Sequence, residues 1–167
     1  VYVETVEGVG YGRRKLGLVK FSGWKDPKPV AQLELGVLGS TGGPMVLSVR
    51  GDKTFIWMAG IQTSGFRVGR ADVTCYEDRG AEFVAAVKLH EKDPAALGNH
   101  DCIAVDPANE DVYINDDYSE FYRFNGLTGE GGALNKIDKN FKATDLAVGP
   151  DGYLYVRTDR GLGYSGP

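Results

Sequence analysis

The 167-residue chain has only two cysteines and two histidines. Two cysteines are too few for a disulfide scaffold, and Cys75 and Cys102 lack the CxxC spacing of a zinc or redox motif. They read as buried thiols that act as small apolar side chains. The chain also lacks a long hydrophobic run, so no segment reads as a membrane-spanning helix. It lacks a dense basic run; Arg13-Arg14-Lys15 is the largest such cluster and reads as a solvated hairpin end. With a net charge of −4 the chain has no electrostatic attraction for nucleic acid or anionic lipid. No window sustains a 3.6-residue apolar period, and only Asp93-Pro94-Ala95-Ala96-Leu97 offers a helical turn. The patterns Gly-x-Ser-x-Gly, P-loop and His-Glu-x-x-His are missing, so those enzyme classes lack direct support.

Glycine is abundant instead, at 24 residues, beside nine tyrosines and seven phenylalanines. This mixture predicts short strands joined by many turns. A phrase recurs along the chain: an apolar run, a turn, then a second apolar run. The copies are Leu47 to Trp57, Ile103 to Ile114 and Leu146 to Val156. The last two are about 43 residues apart, the period of one four-stranded repeat. The earlier interval is longer because it holds the Gly- and Ser-rich stretch Ile61 to Arg70 and the segment Glu91 to Asn99.

The register predicts strands at Met45–Val49, Thr54–Ala59, Ala71–Tyr76 and Glu82–Leu89. A second unit has Cys102–Val105, Asp111–Asn115, Glu120–Asn125 and a weaker Ala133–Ile137. Val1-Tyr2-Val3 reads as the second strand of a unit, Lys15–Phe21 and Val30–Leu35 as its third and fourth, and Gly161–Tyr164 as a third strand. Gly8-Val9-Gly10-Tyr11-Gly12 reads as a turn-rich connection rather than a nucleotide fingerprint. The expected division is a partial unit at 1–44, whole units at 45–98 and 99–142, and a partial unit at 143–167.

Ala147-Val148-Gly149-Pro150-Asp151-Gly152-Tyr153-Leu154-Tyr155-Val156 resembles the core of an NHL-type repeat. It is also similar to the blades of gluconolactonase, or SMP-30-like, propellers. In both families an apolar strand and a Pro-Asp-Gly turn precede a strand ending near Asp, a place taken here by Asn115-Asp116-Asp117 and Thr158-Asp159. The resemblance implies an all-β fold, a β-propeller of four-stranded antiparallel blades, with about three and a half blades in this chain. It further implies that other blades, or a second copy of the chain, complete the ring.

In such a propeller the residues ahead of each first strand lie at the channel mouth. The resemblance places Asn99, His100, Asp101 and Thr144 there as candidate ligand-binding residues. An imidazole beside a carboxylate can ligate a metal or exchange protons. The lactonases hold a divalent cation at the mouth, which makes Asp101 a candidate ligand for Ca²⁺ or another divalent cation. Asp116 and Asp117, with Asn115 and Glu120, form an acidic cluster that reads either as a hairpin turn or as a Ca²⁺ site. His90 reads as a surface residue. Three functions are expected to compete: a scaffold that binds a protein, peptide or glycan; a metal-dependent lactonase or esterase; and a wall segment of a larger extracellular or periplasmic enzyme.

Overall fold

The computed structural model describes residues 1–10, 13–38, 44–61, 71–89, 100–116, 120–134, 143–158 and 161–165. Among them every regular element is a strand. The strands form four antiparallel sheets in which hydrogen-bonded neighbours are consecutive in sequence. Sheet A holds β1 (Tyr2–Gly10), β2 (Arg13–Ser22) and β3 (Lys28–Leu38). Sheet B holds β4 (Met45–Arg50), β5 (Lys53–Ile61), β6 (Ala71–Asp78) and β7 (Phe83–Lys88). Sheet C holds β8 (His100–Val105), β9 (Asp111–Asp116), β10 (Phe121–Asn125) and β11 (Gly131–Ala133). Sheet D holds β12 (Ala143–Val148), β13 (Leu154–Thr158) and β14 (Gly161–Ser165).

Two-sided burial explains why the sheets stack. In β5 the run Phe55-Ile56-Trp57-Met58 is buried without a break. Successive side chains leave a strand on opposite faces. Ile56 and Met58 therefore meet Leu18, Ala31 and Phe83 in a core shared with sheet A. Phe55 and Trp57 enter the core shared with sheet C, which also takes Cys75, Ile103, Val112, Ile114, Tyr122 and Phe124. Cys102, Ala104 and Phe121 face the other way and pack on Leu146, Leu154 and Val156 of sheet D. The sheets thus follow one another in the order A, B, C, D, with β4 beside β8 and β8 beside β12. The row does not close on itself among the described residues.

The recurring hairpins form where the repeated phrase predicts them. β4 pairs with β5, β8 with β9 and β12 with β13. Gly51 and Gly152 take positive φ in the first and third turns, a conformation that costs a residue without Cβ little. Asp106 and Asn109 shape the middle turn by accepting backbone N–H bonds from Ala108 and Asp111. Glu110 carries a positive φ of 68° there despite its side chain.

Several expectations change. Gly8 to Gly10 belong to β1 rather than to a connection. The last strand of sheet C is Gly131–Ala133, earlier than the apolar residues suggest. The helical turn at 93–97 and His90 lie outside the described residues. Cys75 and Cys102 are both buried. They belong to different cores, one on each side of sheet C. Burial is the main influence on Cys75 and pushes its thiol pKa up to about 12, with Arg50 opposing.

Two polar joints bind the sheets together. Between A and B, the Asp78 carboxylate accepts bonds from Tyr2 Oη, from Lys20 Nζ at 3.0 Å and from the Gly80 amide at 2.8 Å. Burial alone would raise the Asp78 pKa. The hydrogen bonds from Lys20, Tyr2 and Gly80, with the Lys20 charge, outweigh it and hold the carboxyl below its ordinary value. A depressed carboxyl contributes stability that is full above the unfolded pKa of about 3.9 and is lost as pH falls through the lower folded value. The urea midpoint of the wild type should therefore fall as pH drops below about 4. Asp78→Asn should be less stable at neutral pH and should lose part of that acid slope. An unchanged slope in the variant would remove Asp78 from the account.

Between B and C, Arg50 donates from Nε to the Glu110 carboxylate and from a terminal nitrogen to Gly126 O at 3.1 Å. Its guanidinium also sits 4.4 Å above the Phe55 ring, within cation–π range. Gly126 N–H donates back to Glu110 O at 2.9 Å. The turn after β4, the turn after β8 and the turn after β10 therefore meet at one point.

Candidate functional site

The first strands of the sheets carry the predicted mouth residues, and neighbouring strands treat them alike. In β8, His100 pairs with Asp116 and Cys102 with Asn115, so Asp101 is an extra residue in the ladder. In β12, Ala143 pairs with Thr158 and Asp145 with Arg157, so Thr144 is the extra residue. Val105 and Val148, four residues further along in each case, are equivalent places in the repeat. The two bulges therefore fall at the same position of two adjacent strands. A β-bulge redirects a side chain and is favoured beside binding and active sites. β4 lacks this irregularity: Met45, the equivalent residue, pairs regularly with Met58.

Thr144 is exposed, and its hydroxyl is oriented by Arg157. Thr144 Oγ1 donates to Arg157 O and accepts from Arg157 Nε, both at 3.2 Å. These bonds tie the bulge to the end of β13 and leave the second Oγ1 lone pair for a ligand. His100 and Asp101 begin β8, and Asp116 ends β9 as the cross-strand partner of His100. The backbone thus brings His100, Asp101 and Asp116 to one end of sheet C, beside the strand that carries Thr144. Asn99 and Asp117 lie outside the described residues.

In the sequence Asn115 reads as a member of the acidic cluster with Asp116, Asp117 and Glu120. It is fully buried opposite Cys102. Its Nδ2 donates to Glu120 O at 3.2 Å, whereas its Oδ1 is buried without a hydrogen-bond partner. An unpaired buried carbonyl costs about 1–3 kcal/mol. The Glu120 carboxylate accepts from Tyr122 Oη at 2.8 Å. The Asn and Glu of the cluster therefore brace β9 against β10. No group of three His, Cys, Asp or Glu side chains is placed to hold a metal ion among the described residues.

The opposite end of sheet D carries a second polar feature. Tyr155 Oη donates to the Asp151 carboxylate at 2.6 Å. That bond is the main reason the Asp151 carboxyl lies below its ordinary range and the Tyr155 phenol above it. Gly149 admits this arrangement, since a Cβ there would come within 2.6 Å of the Tyr155 ring.

Sequence reasoning overlooked Trp24. With Val1, Val3, Phe21, Gly23 and Pro27 it lines an open cleft of about 330 Å³ on the side of sheet A turned away from sheet B. Trp24 is 85% exposed, and an exposed indole beside Lys-Asp-Pro was the available signal.

No protein-family model matches the chain, and no curated protein matches it.

Proposed function

We propose that the four sheets are consecutive blades of a β-propeller of the NHL or SMP-30-like kind, and that the protein is a binding platform. In this reading the first strands β4, β8 and β12 face the channel. The ends of β8 and β12 that carry Asp101 and Thr144 contact a protein, peptide or glycan ligand. The observation that supports it is the pair of bulges at equivalent positions of adjacent strands. Two bulges in register mark one place on two adjacent strands, which suits a ligand surface. Propellers commonly serve this role, an analogy of fold alone. Further blades or a second copy would complete the ring.

The test is an array of glycans and peptides probed with the wild type and with an Asp101→Arg/Thr144→Arg double variant. The wild type should retain a ligand that the variant binds at least about tenfold more weakly. Retention of the same ligand by both proteins would overturn the reading.

A metal-dependent hydrolase is the second reading. The buried, unpartnered Asn115 Oδ1 lies across the ladder from the residue after Asp101, and hard cations favour such oxygen donors. Calorimetric titration with Ca²⁺ separates the two. Binding by the wild type that Asp101→Asn removes would favour the hydrolase, and the absence of a binding isotherm would dismiss it.

A further inference from the structure

The chain has a single asparagine followed by glycine, Asn125-Gly126. Asn125 ends β10 and Gly126 begins the turn to β11. Glycine has no side chain to shield its nitrogen, so this pair is the one most open to attack of the backbone on a side-chain amide. Asn125 is exposed to water, whereas Gly126 is buried. The turn holds the asparagine side chain in place. Its Oδ1 accepts N–H bonds from Leu127 at 2.9 Å and from Thr128 at 3.0 Å. The Asn125 backbone is held as well: its N–H donates to Glu130 O and its carbonyl accepts from Gly129 N–H, both at 2.8 Å.

These bonds act in opposite senses on that reaction. Attack at Asn125 Cγ develops an oxyanion at Oδ1, and two N–H groups already point there. Donors so placed favour the tetrahedral intermediate. The nucleophile, however, is withheld. Gly126 N–H points at Glu110 O, 2.9 Å away across the joint between sheets B and C. When the amide loses its proton, the electron pair left on nitrogen lies along the same direction. The place that Cγ must take is filled by Glu110 O, whose negative end repels the developing anion. Arg50 fixes that carbonyl, because it bonds both the Glu110 carboxylate and Gly126 O. The backbones have no slack to exchange partners: even a Cβ on Gly126 would lie 2.1 Å from Glu110 O.

We propose that Asn125 is a deamidation site guarded by the joint between sheets B and C. The closed joint blocks the reaction, an open joint with the turn intact permits it, and the product keeps the joint from closing again. In the first step Gly126 N gives its proton to hydroxide and bonds to Asn125 Cγ. The Cγ–Nδ2 bond breaks, and Nδ2 takes a proton from water and leaves as ammonia. Water then opens the cyclic imide at either carbonyl, giving aspartate or isoaspartate, with nothing oxidised or reduced. The isoaspartyl linkage lengthens the main chain by one carbon at the point where the two backbones already touch. The site thus records that sheets B and C have come apart. It is independent of the ligand proposed for the bulges.

The test holds the intact protein at mildly alkaline pH and follows residue 125 by peptide mass spectrometry, with Gly126 amide exchange measured in parallel. The native wild type should convert at least about tenfold more slowly than the same chain unfolded in urea. Arg50→Ala frees the Glu110 carbonyl and should speed both conversion and Gly126 exchange about tenfold, the effect of losing a charge-assisted hydrogen bond. If that variant does not fold, the wild type in urea below its unfolding midpoint serves instead, and its conversion should rise in proportion to Gly126 exchange. Isoaspartyl product returned to neutral pH should keep fast exchange at Gly126. Equal conversion of native and unfolded wild type would overturn the proposal, as would an Asn125 that resists conversion when unfolded. So would faster Gly126 exchange without faster conversion, or an isoaspartyl product in which Gly126 regains its protection.

Discussion

Gly126→Ala should destabilise the protein by about 3 kcal/mol or more, read as a lower urea midpoint with an unchanged slope. A Cβ at this position would lie 2.1 Å from Glu110 O and 3.2 Å from Trp57 Cζ2. The nearer obstacle is backbone and cannot swing aside. Overpacking of this kind costs about 1–3 kcal/mol by itself. The forced shift also lengthens the Gly126 N–H bond to Glu110 O and the Arg50 bond to Gly126 O, each worth about 1 kcal/mol or more. Glu110 depends on the same contacts to hold its left-handed backbone, a conformation that costs a non-glycine residue about 1–3 kcal/mol. Trp57→Phe, which removes the farther obstacle, should not rescue the variant. Recovery by that second change would place the clash at the indole and refute this reading of the joint.

Trp57→Ala should cost about 3–5 kcal/mol, the range for truncating a buried aromatic. Trp57 is fully buried at the centre of the core between sheets B and C. Its Nε1 donates to Ser48 Oγ at 3.2 Å, which pins β5 to β4. The cavity would open between two sheets that meet mainly through this layer. The loss should therefore reach both sheets: hydrogen-exchange protection should drop in β5 and β9 together. A loss confined to β5 would show that sheets B and C are stabilised independently.

The hairpins were legible because their information is local. In Leu146 to Val156 two apolar runs flank Pro-Asp-Gly, and both the pairing of β12 with β13 and the positive φ of Gly152 follow from that arrangement. β11 was misplaced for the opposite reason. Gly131-Gly132-Ala133 has little strand propensity; it pairs with β10 because a thin strand is what fits there. A Cβ on Gly131 would come within 2.2 Å of Arg123 O. Propensity cannot register a strand selected for lacking side chains.

The candidate site divides similarly. The repeat register located Asp101 and Thr144 ahead of their valines. That each is bulged depends on how the second strand pairs, which composition does not encode. The Arg50–Glu110 ion pair joins residues 60 apart in sequence. Each is an ordinary charge in a turn until the sheets stack. Leu47 and Val49 hold the places of Ile103 and Val105 in the repeated phrase, yet they are exposed, a difference of packing that the phrase does not encode.

The meander within each sheet bears on how the chain acquires its shape during synthesis. Among the described residues every hydrogen-bonded strand neighbour is the next strand in sequence, so these ladders close without waiting for a distant segment. A nascent chain can complete β4 to β7 before the ribosome has added β8, and each later sheet then condenses on the exposed face of the one before it. Such vectorial growth keeps the unsatisfied apolar surface to roughly one sheet face at a time. It also makes an error in one sheet a local event, which later sheets meet as a poor template rather than inherit as a wrong register.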